Sequence, residues 1–295
     1  MEFDKRITGK TNITGVIGNP VEHSISPQLH NTIFKLLNEN YIYVPFLVEK
    51  NSLEEAVKGL KASNVKGFNV TVPFKKKIMN FIDEPSKEAI MIGAVNTVKN
   101  ECGKLFGYNT DAEGFARAFK NETGTDFENK NIVVIGAGGS ARAIIVKLAT
   151  EEANSVCIIN RTLSKADEIS QLIKKNLNYD IKCFQTDEIR AVENLSNADI
   201  IINATSAGLY PDTEKMPVSP SYKFTRGQIV FDLIYNPIKT KFLQCAENDG
   251  CKIFNGLGML FYQGILSNEI WLQRKIEDEK VRQLYKEFMN DMGTK

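Results

Sequence analysis

Residues 132–141 read Ile132-Val133-Val134-Ile135-Gly136-Ala137-Gly138-Gly139-Ser140-Ala141, an apolar strand that runs directly into a glycine-rich turn. A helical pattern follows over residues 142–150. This order predicts a dinucleotide site, because the backbone N–H groups at the start of such a helix can bind a pyrophosphate. In that site Gly136 makes the tight turn, Gly138 lets the backbone approach the phosphates, and Ala141 lets the helix pack close to the strand.

The next strand, residues 155–160, indicates which dinucleotide is bound. An acidic side chain about 20 residues beyond the glycines would accept a hydrogen bond from the ribose 2′-hydroxyl of NAD. This chain has Asn160-Arg161-Thr162 there, with Lys165 shortly after, and these side chains offer cationic and hydroxyl donors to a 2′-phosphate. We therefore predict NADP as the cofactor. The alternatives are a solvated cluster at a helix start, a turn that binds S-adenosylmethionine, and a turn that binds no nucleotide.

Strands and helices alternate in both halves of the chain, which predicts an α/β protein with mostly parallel sheets. In the first half, strand patterns over residues 12–17, 41–48 and 65–72 are followed by helical patterns over 27–39, 52–64 and after Pro73. In the second half, strand patterns occur at 131–135, 155–160, 179–184, 199–203 and 229–232, with a helix at 163–175 among them. Two helices in succession, 258–274 and 277–289, end the chain and are expected to dock on one of the two domains.

Length, charge and cysteine content restrict the class of protein. The 295 residues suggest two domains at roughly 150 residues each. A net charge of +1 argues against a nucleic-acid partner held by a basic field, and neither a membrane span nor a signal peptide is visible. Five cysteines without a Cys-x-x-Cys pair suggest neither a disulfide framework nor a zinc site. We expect a cytoplasmic protein that binds small molecules and no metal.

Small polar residues are concentrated at predicted strand ends, where α/β sheets place their ligands. They lie in residues 18–27, 69–75, 93–97, 107–111 and 255–263. Together with 136–139, Asn160-Arg161-Thr162, Asn203-Ala204-Thr205 and 232–237, these segments resemble the shikimate dehydrogenase family in order and spacing over nearly the whole chain.

The resemblance implies both a domain plan and a reaction. Residues 1–111 plus 256–295 would form a substrate-binding domain, and residues 112–255 a Rossmann-type NADP-binding domain, with the active-site cleft between them. Members of the family interconvert shikimate and 3-dehydroshikimate on the route to chorismate and the aromatic amino acids, and they occur as monomers or homodimers. Hydride moves between the ring carbon and the nicotinamide.

The resemblance also implies roles for individual residues. Lys75 would exchange a proton with the reacting hydroxyl, with Asp111 as the second member of the dyad. The implied substrate contacts are Ser24, Ser26, Thr71, Lys75, Asn96, Asp111, Tyr235 and Gln263. The implied cofactor contacts are Gly136, Ala137, Gly138, Gly139, Ser140, Asn160, Arg161, Thr162 and Lys165, with Leu233 and Gly256 beside the nicotinamide.

Plainer interpretations of some of these residues stay open. Without the resemblance, Lys75 reads as a surface lysine and Asp111 as a helix N-cap. Ser24 and Ser26 would share one face of an extended segment, or else belong to a polar loop that caps the helix after Pro27. Some relatives carry an acidic residue where this chain has Lys87, to which we assign no role.

Three other functions are weighed against the family reaction. A quinate/shikimate dehydrogenase that uses NAD tends to have an acidic residue soon after the Asn-Arg pair, and residues 160–164 contain none. A dinucleotide sensor without turnover would require loss of the dyad, yet both Lys75 and Asp111 are present. A serine hydrolase built from Ser24, His23 and Asp111 is disfavoured, because the chain has no Gly-x-Ser-x-Gly elbow.

Overall fold

The structure, a computed structural model, describes residues 7–293 and divides into two compact units. Unit 1 contains the described residues up to Thr110 and those from Phe261 onward. Unit 2 is Asp111–Leu260. Asp111 and residues 256–260, which the expected boundaries assign to the substrate domain, thus belong to unit 2.

Unit 1 is an α/β unit in which the strands are short and interleaved with helices. Its strands are β1 Asn12–Gly18, β2 Tyr41–Leu47, β3 Gly67–Val70, β4 Glu84–Pro85, β5 Thr97–Glu101 and β6 Lys104–Tyr108. Its first three helices are α1 Ser26–Leu36, α2 Leu53–Ala62 and α3 Lys87–Ile92. The helical stretch expected after Pro73 is a short 3₁₀ helix, Lys77–Phe81.

The sheet of unit 1 has the strand order β2-β1-β3-β5-β6-β4 and is mixed. The β1–β2, β1–β3 and β4–β6 pairs are parallel, so the expectation of a mostly parallel sheet is confirmed. The β3–β5 and β5–β6 pairs are antiparallel, which the strand pattern did not predict. A two-residue turn makes the β5–β6 hairpin, because Cys102 and Gly103 both adopt positive φ, as a type I′ turn requires.

Unit 2 is a six-stranded parallel sheet with helices between its strands. In chain order its elements are α4 Asp111–Thr123, β7 Asn131–Ile135, α5 Gly139–Thr150, β8 Ser155–Ile159, α6 Leu163–Leu177, β9 Ile181–Phe184, α7 Ile189–Asn197, β10 Ile200–Asn203, β11 Ile229–Asp232, α8 Lys241–Asn248 and β12 Lys252–Phe254. The strand order β12-β11-β10-β7-β8-β9 is that of a Rossmann fold. The order reverses between β7 and β10, and a dinucleotide binds outside the carboxyl ends of the strands at that point.

The last two helices are α9 Leu257–Leu272, which starts in unit 2, and α10 Asp278–Gly293. Within unit 1, α9 packs on the sheet through Trp271, whose indole Nε1 donates to Val98 O at 2.9 Å. A Cβ on Gly67 would collide with that indole, so β3 needs glycine there. His30 of α1 stacks on Tyr43 of β2 with ring centroids 4.1 Å apart.

Phenylalanine rings join α4 to the sheet within unit 2. Phe115 of α4 meets Phe231 of β11 edge to face at 5.1 Å, and Phe119 lies 4.5 Å from Phe127. All four side chains are buried, which anchors the start of unit 2 against its sheet. None of the helices in the described part of the chain has the length and apolarity needed to cross a bilayer.

Candidate active site

One edge of the unit 1 sheet collects the segments that were singled out in the sequence. The parallel strands β1 and β3 end at this edge, in Gly18 and Val70. Because β5 is antiparallel to β3, its first residue, Thr97, lies at the same edge, paired with Asn69. Since β6 is antiparallel to β5, its last residue, Tyr108, lies there as well. The topology therefore brings the loops after β1, β3 and β6 together with the segment before β5.

Asn96, which precedes β5, is buried and clamped to the segment after β6. Its Oδ1 accepts hydrogen bonds from Thr110 N at 2.8 Å and from Thr97 Oγ1 at 3.0 Å, and its Nδ2 lies 3.0 Å from Thr110 Oγ1. These bonds hold the Asn96 amide in one orientation. Asp111, the first residue of α4, is covalently joined to this clamp through Thr110.

Asn69 of β3 is the centre of a buried hydrogen-bond network beneath this edge. Its Oδ1 accepts from Tyr43 Oη at 2.8 Å, and its Nδ2 lies within 3.0 Å of both Thr97 Oγ1 and Ser267 Oγ. Burial raises the pKa of the Tyr43 hydroxyl, and the nearby Ser26 side chain acts in the opposite direction. Asn69 Nδ2 also donates to Asn96 O at 3.1 Å, so groups whose roles the sequence did not reveal support Asn96.

Ser24 and Ser26 lie at the start of α1 and not on an extended segment. Ile25 between them has helical φ and ψ, and Ser26 is the first residue of α1, so the predicted strand-like alternation is wrong. The Ser24 hydroxyl accepts from Ser26 N at 3.3 Å, but the N-cap residue of α1 is Ile25 and no side chain caps the helix. The helix begins here because Pro27 favours the first turn of a helix.

The other implied substrate residues of unit 1 follow β3 or lie in α9. Thr71 follows β3, and its N–H donates to Ile17 O of β1 at 3.0 Å. Lys75 is half-buried, whereas Lys76 and Lys77 are exposed. Gln263 lies in α9, and its carbonyl accepts from Ser267 Oγ at 2.9 Å, which ties it to the Asn69 network.

In unit 2, Gly136 makes the turn after β7. Its φ is +115°, and a Cβ there would lie 3.0 Å from both Ala204 O and Thr205 Cγ2. Only glycine fits this position without strain. The buried Ala141 packs α5 on the sheet, as the motif predicts.

Gly138 and Gly139 form an open cradle at the start of α5. A Cβ on either residue would meet no protein atom within 4 Å. Gly138 is the N-cap of α5, and no side chain caps the helix. The first N–H groups of α5 are therefore available to an anion, so the residues present fit the pyrophosphate of a dinucleotide.

Three glycine-to-alanine variants distinguish the structural role of the Gly136 turn from the binding role of the Gly138-Gly139 cradle. We expect Gly136→Ala to lower the free energy of unfolding by about 1–3 kcal/mol, because alanine is strained at positive φ. Gly139→Ala, in the first turn of α5 with open space around it, should unfold at or above the wild-type temperature. Gly138→Ala should unfold like wild type and yet bind NADPH more weakly, since its Cβ occupies space that we assign to the phosphates.

Thermal unfolding without ligand, followed by NADPH titration, checks these expectations. A Gly138→Ala variant that binds NADPH as wild type does would remove the cradle from the phosphate site. A Gly136→Ala variant as stable as wild type would contradict the assignment of strain to the turn.

The loop after β8 and the start of α6 carry two cationic residues. Arg161 and Lys165 are both exposed, and neither forms an ion pair with any residue in the range 7–293. Asn160 shapes the loop, because its Nδ2 donates to Thr162 O at 2.8 Å. Thr162 is the N-cap of α6, but its hydroxyl does not cap the helix. The loop therefore offers two cations and a hydroxyl to a phosphate.

The implied nicotinamide residues lie at the carboxyl end of β11. Leu233 N donates to Asn203 O at 3.0 Å, and Gly256 N donates to Ile234 O at 3.1 Å. A Cβ on Gly256 would collide with the Leu233 carbonyl, so the two backbones are in direct contact. Tyr235 is half-buried, and burial raises the pKa of its hydroxyl.

A buried carboxylate beside these residues has no role assigned from the sequence. Asp232 accepts from Asn203 Nδ2 at 2.9 Å, from Ile234 N at 3.0 Å and from Thr240 Oγ1 at 2.6 Å. Burial raises the pKa of Asp232 to about 6, although the three donors act in the opposite direction. Its place in an otherwise apolar strand, Ile229–Asp232, is the signal that could have drawn attention to it.

Comparison with known proteins identifies the family. The model of the shikimate dehydrogenase substrate binding domain matches residues 16–98, and the shikimate / quinate 5-dehydrogenase model matches residues 118–247. The shikimate dehydrogenase (NADP(+)) of Alkaliphilus oremlandii is 44% identical over 271 residues, which are 90% of this chain and 93% of that protein.

Solved structures agree with the family models. A crystal structure of a shikimate dehydrogenase in complex with NADP+ has 40% identity and a TM-score of 0.87, and the match covers 97% of each chain. The shikimate 5-dehydrogenase from Listeria monocytogenes, in complex with shikimate and NAD, has 34% identity and a TM-score of 0.87 over 96% of this chain and 99% of that one. With both family models matched in order and the fold shared over 97% of the chain, this chain belongs to the shikimate dehydrogenase family.

Proposed function

We propose that this chain catalyses the reversible interconversion of shikimate and 3-dehydroshikimate with NADP. In the oxidation, a hydride leaves the ring carbon for NADP⁺ and the hydroxyl proton leaves for a base, so the products are the ketone, NADPH and a proton. We assign substrate binding to unit 1, which corresponds to the domain expected over residues 1–111 and 256–295, and NADP binding to unit 2, which corresponds to the domain expected over 112–255; Asp111 and residues 256–260 are the difference between the expected and observed bounds. A cytoplasmic location and a monomer or homodimer stay predictions.

One observation supports this proposal more than any other: the polar groups that follow β1, β3 and β6 and precede β5 lie at one edge of the unit 1 sheet. A ring with one carboxylate and three hydroxyls needs several neutral hydrogen-bonding groups near one another. Asn96 is a buried amide that its bonds to Thr110 hold in one orientation, and a site built from such fixed groups favours a ring whose hydroxyls match them.

The roles that we propose divide between the two ends of the substrate. Ser24 and Ser26 bind the carboxylate, and Tyr235 is a further substrate contact. Thr71, Asn96, Asp111 and Gln263 bind the hydroxyls. Neutral Lys75 accepts the proton during oxidation, and its ammonium returns the proton during reduction. The Asp111 carboxylate orients the Lys75 ammonium and a substrate hydroxyl.

NADP, when bound, supplies the hydride acceptor, and the residues of unit 2 hold it. The N–H groups around Gly138, Gly139 and Ser140 would bind the pyrophosphate. Arg161, Thr162 and Lys165 would bind the 2′-phosphate, with Asn160 shaping their loop. Leu233 and Gly256 would support the nicotinamide.

An absorbance assay at 340 nm that crosses shikimate and quinate with NADP and NAD tests the proposal. We expect kcat/KM for shikimate with NADP to exceed that with NAD by about 100-fold, because two charge-assisted hydrogen bonds at roughly 1.5 kcal/mol each are lost with the 2′-phosphate. Quinate should turn over poorly with either cofactor.

Other outcomes would point to other functions. Comparable rates with NAD and with quinate would favour the quinate/shikimate dehydrogenase. Tight NADPH binding without turnover of either acid would favour a dinucleotide sensor. Either result would contradict the proposed reaction.

A further inference from the structure

The carboxyl group of Asp232 stands out among the polar groups of unit 2, because it is fully buried and the proposed chemistry does not use it. Three donors meet it: Asn203 Nδ2 and Ile234 N on Oδ1, and Thr240 Oγ1 on Oδ2. Apolar residues of similar size often replace buried ionisable groups without loss of stability. Stability alone therefore does not explain a carboxyl group here.

The three donors belong to three different segments at the carboxyl edge of the sheet. Asn203 ends β10, Ile234 lies in the loop after β11, and Thr240 is the N-cap of α8, where its hydroxyl also accepts from Leu243 N at 3.3 Å. Asp232 thus links the two ends of the loop 232–240 through Thr240, and it holds this loop against β10 through Asn203.

This loop carries Leu233 and Tyr235. Leu233 is held from both sides, by its N–H bond to Asn203 O and by the contact of its carbonyl with Gly256. Asn203 Oδ1 also accepts from Thr205 N at 3.0 Å and from Thr205 Oγ1 at 2.7 Å. Thr205 in turn packs beside the Gly136 turn, where its Cγ2 limits the space for a Cβ. One hydrogen-bond network therefore supports the implied nicotinamide residues and the turn after β7.

We propose that Asp232 is a positioning residue, which, through its bonds to Asn203, Ile234 and Thr240, holds the loop 232–240 in the conformation that places Leu233 and Tyr235 for hydride transfer. The inference rests on the proposed function, because it takes the nicotinamide to bind beside Leu233. Asp232 is fully buried, so we assign it no direct contact with substrate or cofactor. It acts through hydrogen-bond geometry and not through its charge.

Two cofactor probes separate positioning from general destabilisation. NADPH contains the nicotinamide, whereas adenosine 2′,5′-bisphosphate has the 2′-phosphate end without it. In Asp232→Ala we expect NADPH to bind more weakly and kcat to fall by roughly tenfold, because small displacements of reacting groups are costly. The affinity for adenosine 2′,5′-bisphosphate should stay at the wild-type value.

Two further variants serve as controls. Asp232→Asn should keep near-wild-type kcat, because its amide oxygen can accept from Asn203 and Ile234 while its amide nitrogen donates to Thr240. Ile202→Val, in the buried core of β10, lowers stability by about 1 kcal/mol without touching the network, and its kcat should equal that of wild type.

If Asp232→Ala does not fold, Thr240→Val and Thr240→Ser replace it. Valine removes the donor to Oδ2 at nearly constant shape, and serine restores the hydroxyl. We expect Thr240→Val to weaken NADPH binding and Thr240→Ser to recover it, with adenosine 2′,5′-bisphosphate unaffected in both.

Three results would overturn the inference: parallel loss of affinity for both probes, a kcat of Asp232→Ala equal to that of Ile202→Val, or an Asp232→Asn variant as slow as Asp232→Ala. The probe comparison needs no turnover of shikimate. A protein that binds NADPH but does not oxidise shikimate would therefore refute the proposed function and still leave this inference open to test.

Discussion

Replacing Lys75 with alanine is expected to lower kcat for shikimate oxidation by about 100-fold or more, the usual contribution of a general acid or base. The dissociation constant of shikimate should change little, because the hydroxyl and amide contacts that we assign to binding remain. Steady-state kinetics at 340 nm gives kcat, and calorimetric titration with shikimate gives the dissociation constant. A loss confined to kcat would identify Lys75 as the group that exchanges the proton.

The neighbouring lysine provides the matched control. Lys76 carries the same charge in the same run and is exposed, so Lys76→Ala changes the local charge equally and should leave kcat unchanged. Added methylamine should partly restore turnover of Lys75→Ala, since a free amine can take the missing proton. A Lys75→Ala variant with near-wild-type kcat would exclude the lysine from the mechanism.

The buried network under the candidate substrate site has a consequence for such variants. Asn69, Thr97 and Ser267 bond to one another. Because Asn69 Nδ2 donates to Asn96 O at 3.1 Å and Thr97 Oγ1 donates to Asn96 Oδ1 at 3.0 Å, the Asn96 amide is held before substrate arrives. None of the atoms in these bonds belongs to a lysine side chain. We therefore expect the hydrogen-bonding face to be retained in Lys75→Ala and Lys76→Ala.

The glycine turn of unit 2 could be predicted from the sequence because it depends on local steric constraints. The positive φ of Gly136 and the open space at Gly138 both belong to one motif of consecutive residues, so the motif is sufficient to locate them. The same holds for Arg161 and Lys165, whose position after the second strand of the unit is fixed by the fold. The comparisons confirm the family, the α/β fold and NADP dependence among relatives, while the individual site residues remain to be tested.

Long-range pairings could not be predicted in the same way. Asn69 and Ser267 hydrogen-bond although 198 positions separate them, and no local pattern in the sequence connects the two. The β5–β6 hairpin was missed because its turn is the unremarkable pair Cys102-Gly103. For Ser26, the helix-starting effect of Pro27 outweighed the alternation that suggested an extended segment.

Removal of the two cations after β8 should abolish the preference for the phosphorylated cofactor. We expect Arg161→Ala to weaken NADPH about tenfold, and the double variant with Lys165→Ala about 100-fold, because each charge-assisted hydrogen bond contributes roughly 1.5 kcal/mol. NADH, which lacks the 2′-phosphate, should bind both variants as it binds wild type. Fluorescence titration with the two reduced cofactors measures the difference.

Arg226→Ala is the matched control, because it removes one positive charge from another part of unit 2. Arg226 is also exposed on unit 2, but it precedes β11 and so lies at the amino end of the sheet, away from the Gly136 turn. Its removal changes the net charge equally and should leave both affinities unchanged. Salt should narrow the wild-type preference, because Arg161 and Lys165 are exposed and their attraction for phosphate is screened. Equal losses for NADPH and NADH in Arg161→Ala would instead show that the arginine supports the loop and does not bind the 2′-phosphate.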